Sequence, residues 1–120
     1  MEDAKPRWYT AELVEEFLVE GVEGHLVHIN MILVRADSPD GAYERALWFG
    51  GGGEDSYENP EGKRVTVRFR GLRSLNPVAG DLEEGDVLTW EEKAGLSEED
   101  VAALVRNREN LGAFVLAERK

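Results

Sequence analysis

Hydrophobic and polar positions alternate over residues 8–20. Tyr9, Ala11, Leu13, Phe17 and Val19 fall on one side of this stretch, and Glu12, Glu16 and Glu20 fall on the other. A period of two with one apolar face predicts a half-buried strand. The glycine-bounded run 21–24 predicts a turn, and residues 25–35 predict a second strand. Val27, Ile29, Met31 and Leu33 read as its inner face, while Leu26, Ile32 and Val34 make the other face apolar as well. A strand apolar on both sides is expected at the centre of a sheet.

The period then changes. Ser38-Pro39-Asp40 offers an oxygen-bearing cap, a proline suited to the first helical position and a first-turn carboxylate. Ala42, Tyr43, Ala46, Leu47 and Phe49 follow at helical spacing, and the glycine run 50–53 predicts the helix end. Asn59-Pro60-Glu61-Gly62 has the residues of a type I turn with a left-handed glycine after it. It predicts a hairpin between a short strand at 55–58 and a longer one at 63–72. In the longer strand Val65, Val67 and Phe69 point one way, and Arg64, Thr66, Arg68 and Arg70 the other.

Residues 81–86 read as a polar loop and 87–90 as a short strand. Ser97-Glu98-Glu99-Asp100 caps a second helix with an inner stripe of Val101, Leu104, Val105 and Arg108. Past Gly112, Phe114, Val115 and Leu116 fit a last strand or a docked tail, and the period does not choose. The order β-β-α-β-β-β-α predicts an α+β fold, an antiparallel sheet of about five strands with two short helices packed on one face. No repeat or linker interrupts it, so residues 1–120 read as one domain.

Composition narrows the chemistry. With 25 acids against 14 bases the formal net charge is −11. Such a field repels nucleic-acid phosphate and anionic membrane, and it attracts a basic protein. There are no cysteines, which excludes disulfides, thiolate metal sites and cysteine nucleophiles. With a polar start and no apolar run of spanning length, the expectation is a cytoplasmic protein.

A resemblance rests on particular residues. Trp8-Tyr9-x-Ala11-x-Leu13 opens the first strand, and Ala42-x-x-x-Ala46 lies in the helix. Ser56-Tyr57-x-Asn59-x-x-Gly62 leads into Val65-x-Val67-x-Phe69-x-Gly71, and Leu82-x-x-Gly85-x-x-Leu88 follows. Together these resemble the bacterial family of domains of unknown function numbered 4288, over roughly residues 8–90. The resemblance implies a compact domain and supplies no activity, cofactor or catalytic residue. The glycines at 50–53 replace a charged helix end of the family pattern, and the helix and tail at 97–120 extend beyond it.

Each candidate for chemistry has a structural counterpart. His25 and His28, three apart on a strand, point to opposite faces and cannot jointly hold a metal. The glycines at 50–53 end a helix and precede Glu54 and Asp55, the reverse of a phosphate-binding loop. Residues 81–86 are acidic, but a glycine at the fifth position breaks the spacing of a calcium loop. Arg64, Arg68 and Arg70 form a basic stripe, which either faces an acidic partner or pairs with Glu12, Glu16 and Glu20. Ser56, Tyr57 and Asn59 group a hydroxyl, a phenol and an amide, which bind a polar ligand or simply build the turn. Trp48 stands off the main apolar face of its helix, as an interface residue or as a widening of the buried stripe.

No metal and no cofactor are expected, and no paired acid–base groups are present. The leading expectation is a non-catalytic protein-interaction or regulatory module, of inhibitor or immunity type, acting on a basic protein or as a homo-oligomer. The alternative is a ligand-binding or enzymatic site at Ser56–Asn59 with the nearby arginines.

Overall fold

The computed structural model describes residues 6–118 and side chains to residue 115. The charged start at 1–5 and the last two residues, 119 and 120, lie outside the described residues. The chain divides into two compact units, Met1–Trp90 and Glu91–Lys120.

The first unit holds β1 (Arg7–Val19), β2 (Leu26–Ala36), α1 (Pro39–Gly51), β3 (Asp55–Glu58) and β4 (Arg64–Pro77). The strands form one antiparallel sheet of 4 strands in the order β2-β1-β4-β3. One face carries the core: Tyr9, Ala11 and Leu13 from β1, Val34 from β2, and Ala42 and Ala46 from α1, flanked by Ile32, Phe69, Leu72 and Leu75. The inner face predicted for β1 is therefore the face observed.

For β2 the prediction is reversed. It is an edge strand, not a central one. Its inner residues are Ile32, Val34 and Ala36, while Val27, Ile29, Met31 and Leu33 are exposed by 45%, 41%, 49% and 42%. The hairpin register supplies the reason. Phe17 stands opposite Leu26 and Tyr9 opposite Val34, so odd positions of β1 share a face with even positions of β2. A slip of one residue moves every side chain to the other face, and loop length fixes that slip.

Helix α1 begins as predicted, with the Gly41 N–H donating to Ser38 Oγ at 3.0 Å. A cap of this kind contributes about 1 kcal/mol. Its packed side is Ala42, Ala46 and Gly50, while Tyr43 and Phe49 are exposed. Small residues four apart let the helix lie close on the sheet. At Gly50 an added Cβ would stand 2.4 Å from the Phe69 ring. Gly50 and Gly51 accordingly remain helical, and the helix is capped at Gly52.

The hairpin after β3 is the predicted one. Asn59 Oδ1 accepts from the N–H groups of Glu61 and Lys63 at 3.0 and 2.9 Å, and Gly62 has φ +81°. Strand β4 runs on to Pro77, beyond the predicted end, because two bulges let it follow β1. Leu13 pairs with Leu72 but Glu12 with Ser74; Val14 pairs with Gly71 but Glu15 with Phe69. Arg73 and Arg70 are the extra residues, and a bulge re-aims the side chain it carries.

The fifth predicted strand is not formed: residues 87–90 have no strand partner among the described residues. A run of four β-favouring residues is a strand only when a neighbour takes up its backbone bonds. Val87 and Trp90 are exposed by 57% and 76%.

The second unit holds α2 (Glu98–Leu104), a 3-10 turn (Arg108–Asn110) and α3 (Gly112–Glu118). The predicted capping box is present: the Asp100 N–H donates to Ser97 Oγ and the Ser97 N–H to Asp100 Oδ2. Val105 is extended and caps the helix, so the predicted stripe is cut after Leu104. Residues 114–116 are helical, not a last strand. The Arg108 guanidinium lies 4.2 Å from the Phe114 ring centre.

Candidate functional site

The sheet face opposite α1 carries the polar residues of β1. Glu16 is 4% exposed there. Its Oε2 accepts from His25 Nδ1 in the turn before β2, and its Oε1 accepts from Arg70 Nη1 at 2.9 Å. Both partners hold the Glu16 carboxyl below its ordinary 4.5, the His25 hydrogen bond most strongly, while burial pulls the other way. One turn of pattern away, Glu12 accepts from Arg73 at 3.2 and 2.6 Å and from Ser74 Oγ at 2.7 Å. The Arg73 bonds and then the Ser74 bond lower the Glu12 carboxyl, against its partial burial. The two bulges of β4 therefore deliver their arginines to the two glutamates of β1.

The arginine stripe is thus only partly neutralised within the sheet. Arg70 pairs with Glu16. Arg64 gives its guanidinium to Ser56 Oγ at 3.3 Å and its backbone N–H to Glu20 Oε1 at 3.2 Å. Arg68 stands opposite Glu16 in the register but makes no ion pair among the described residues. Arg73, absent from the predicted stripe, makes the bidentate pair with Glu12. An alternating strand assigns faces by parity, and the two bulges shift that parity, so that the inner positions run Val65, Val67, Phe69, Leu72 and Leu75 and Arg73 is re-aimed.

The Ser56-Tyr57-Asn59 group is spread along β3 and its turn. Ser56 is engaged by Arg64, Asn59 by the turn backbone, and Tyr57 is 42% exposed opposite Val65. A shallow groove of about 250 Å³ nearby is lined by Leu18, Val19, Glu20, Arg64 and Thr66, without Tyr57 or Asn59. His25 is taken by Glu16, and His28 packs on the Phe17 ring at 4.5 Å. Among the described residues no group of three or more His, Asp and Glu is placed to hold a metal ion.

Trp48 is 72% exposed and meets Phe49 edge to face at 4.9 Å. It borders an open groove of about 570 Å³ with Leu47, Phe49, Gly51 and Gly52. Arg45 lies 5.5 Å from the Phe49 ring centre.

The feature missed by the sequence reading is the outer side of β2. Val27, Ile29, Met31 and Leu33 form a continuous apolar row on an edge strand, with β1 as its only strand neighbour among the described residues. Beside it run Thr10, buried with its hydroxyl unpartnered among the described residues, and the Glu12 and Glu16 ion pairs. The signal was present in the sequence as a strand apolar on both faces.

These elements define a small α+β domain, an antiparallel sheet covered on one face by a single helix within its first unit. The chain belongs to the family described as Domain of unknown function (DUF4288), whose model matches residues 8–90. The match ends where the first compact unit ends, at Trp90. No curated protein and no solved structure matches the chain. No helix among the described residues is long and apolar enough to cross a membrane.

Proposed function

We propose that the chain is a non-catalytic protein-interaction module whose docking surface is the outer side of β2. The observation that supports this is the apolar row Val27, Ile29, Met31 and Leu33 on a strand edge that is unpaired among the described residues. An edge strand offers backbone donors and acceptors, and an apolar row beside them adds side-chain contact; strand addition uses both. Several of the polar groups that could serve catalysis are engaged with one another or with the backbone. Glu12 and Glu16 hold arginines, His25 holds Glu16, and Asn59 holds its turn.

The test is a photo-reactive benzoylphenylalanine placed at Ile29 or at Tyr57 in living cells. Position 29 is expected to give discrete protein adducts and position 57 none. Equal adducts from both positions, or none from 29, would overturn the reading.

A further inference from the structure

We infer that the occupant of the β2 edge is a second copy of this chain, its β2 running antiparallel to the first about a twofold axis at Asn30. This rests on the interaction reading and names its partner.

The backbone points the way. The Glu20 N–H donates to the Arg64 carbonyl at 2.9 Å, and the Trp8 carbonyl accepts from the Val78 N–H at 2.9 Å. Even positions of β1 therefore turn their backbone groups toward β4, and odd positions turn toward β2. The β1–β2 register has no shift from Tyr9↔Val34 to Phe17↔Leu26, so the even positions of β2 turn toward β1. The backbone N–H and C=O groups of Val27, Ile29, Met31 and Leu33 are left facing outward. Their side chains form the exposed row, so each free backbone pair belongs to an apolar residue.

The pattern is nearly symmetric about Asn30. A copy related by a twofold axis there sets Ile29 opposite the partner's Met31, and Val27 opposite the partner's Leu33. Four such pairs exchange about eight backbone hydrogen bonds, with apolar against apolar along the whole row. Asn30 meets the partner's Asn30 on the other face, where each amide can both donate and accept. Moving the axis to Met31 puts Arg35 against the partner's Val27 and Asn30 against the partner's Ile32. The amide then has no mate, which costs affinity.

Charge selects the same edge. Two chains of net charge −11 repel, and they approach best where no acid stands. Strand β2, LVHINMILVRA, contains none. The opposite edge, β3, is DSYE, with an acid at each end. The proposed register also runs Arg35 toward the turn that carries the partner's Glu23.

The chain has no cysteine, so a single introduced thiol reports the register directly. Across a non-hydrogen-bonded antiparallel pair the Cα atoms lie about 4.5 Å apart, within the span a disulfide bridges. Mild oxidation of Asn30→Cys is expected to give a covalent dimer, while Tyr57→Cys stays unlinked. In sedimentation the intact chain should run at twice its 13.4 kDa, and Met31→Lys at 13.4 kDa with an unchanged circular-dichroism spectrum. Should Met31→Lys unfold, Val27→Lys repeats the measurement.

An intact chain that stays monomeric at every loading, or a Met31→Lys that stays dimeric, overturns the inference. A dimer that Asn30→Cys fails to link overturns the register. A monomer that still gives Ile29 adducts with another protein overturns self-pairing and leaves the interaction reading standing. No adduct at Ile29 of any kind removes both.

Discussion

At one edge of the sheet stands β2, 11 residues long, with no carboxylate and an apolar row turned to solvent. At the other stands β3, 4 residues long, with Asp55 and Glu58 at its ends and Pro60 in the turn beyond. Exposed edges invite pairing, and proteins blunt them with short strands, charges and prolines. Strand β3 has these protections, whereas β2 is long and uncharged but for Arg35 at its far end. The difference teaches that the acidity of the chain is distributed by place. Acids stand at both ends of one edge, and the other edge carries none.

The largest expected effect comes from erasing that difference. Replacing both guards, Asp55→Thr with Glu58→Thr, leaves a chain with two open edges. Pairing through both joins chains end to end without closure. Light scattering of the double variant should rise steeply with concentration while the parent stops at the dimer. Parent-like scattering would mean that the acids are not what protects β3.

Next in size is a contrast between neighbours on β2 itself. Val34 is 1% exposed against Ala42 and Ala46, whereas Leu33 is 42% exposed on the other face. Val34→Ala should cost about 2 kcal/mol in denaturant unfolding. Leu33→Ala, measured where the chain is monomeric, should stay within about 0.5 kcal/mol. Equal losses would contradict the assignment of faces. Gly50→Ala follows. Its Cβ would press on the Phe69 ring, an overpacking of about 1–3 kcal/mol, partly offset by about 1 kcal/mol of helix propensity. A net loss near 1 kcal/mol is expected, and a gain would show that α1 can ride up from the sheet.

Most of this architecture was legible in the chain. The alternation of β1, the Ser38 and Ser97 caps and the Asn59–Gly62 turn are local signals, and local physics decides them. The faces of β2 were not legible, because both were apolar and only the hairpin register chose between them. The extension of β4 past Leu72 was missed because its two bulges break the period of two. The same bulges hid Arg73, which pairs with Glu12 only because they shift the parity of β4. Residues 87–90 had the β-branched and aromatic residues of a strand but no strand partner among the described residues, and partners are long-range facts. Of the candidate site residues, the structure joins Arg64 to Ser56 and Arg70 to Glu16, and leaves Trp48 on an exposed groove beside Phe49, apart from the others.

The smallest effect separates what charge holds from what it does not. Glu16 joins His25, at the entry to β2, with Arg70, in a bulge of β4, and Glu12 holds Arg73 in the next bulge. Both carboxyls are lowered from their ordinary 4.5 by these partners. A carboxyl lowered by folding contributes stability that is full above its unfolded value and is lost as pH falls through the folded one. Melting temperature should therefore begin to fall below about pH 4.5, and Glu12→Gln with Glu16→Gln should flatten that decline while lowering the melting temperature at neutral pH. Pairing through β2 uses no carboxylate, so the dimer should persist on acidification until the chain itself unfolds. Dissociation at a pH where circular dichroism is still native would place a titrating side chain in the contact, His28 of β2 or an acid. Only an unchanged response in His28→Gln would put an acid there and the contrast between the two edges in the wrong place.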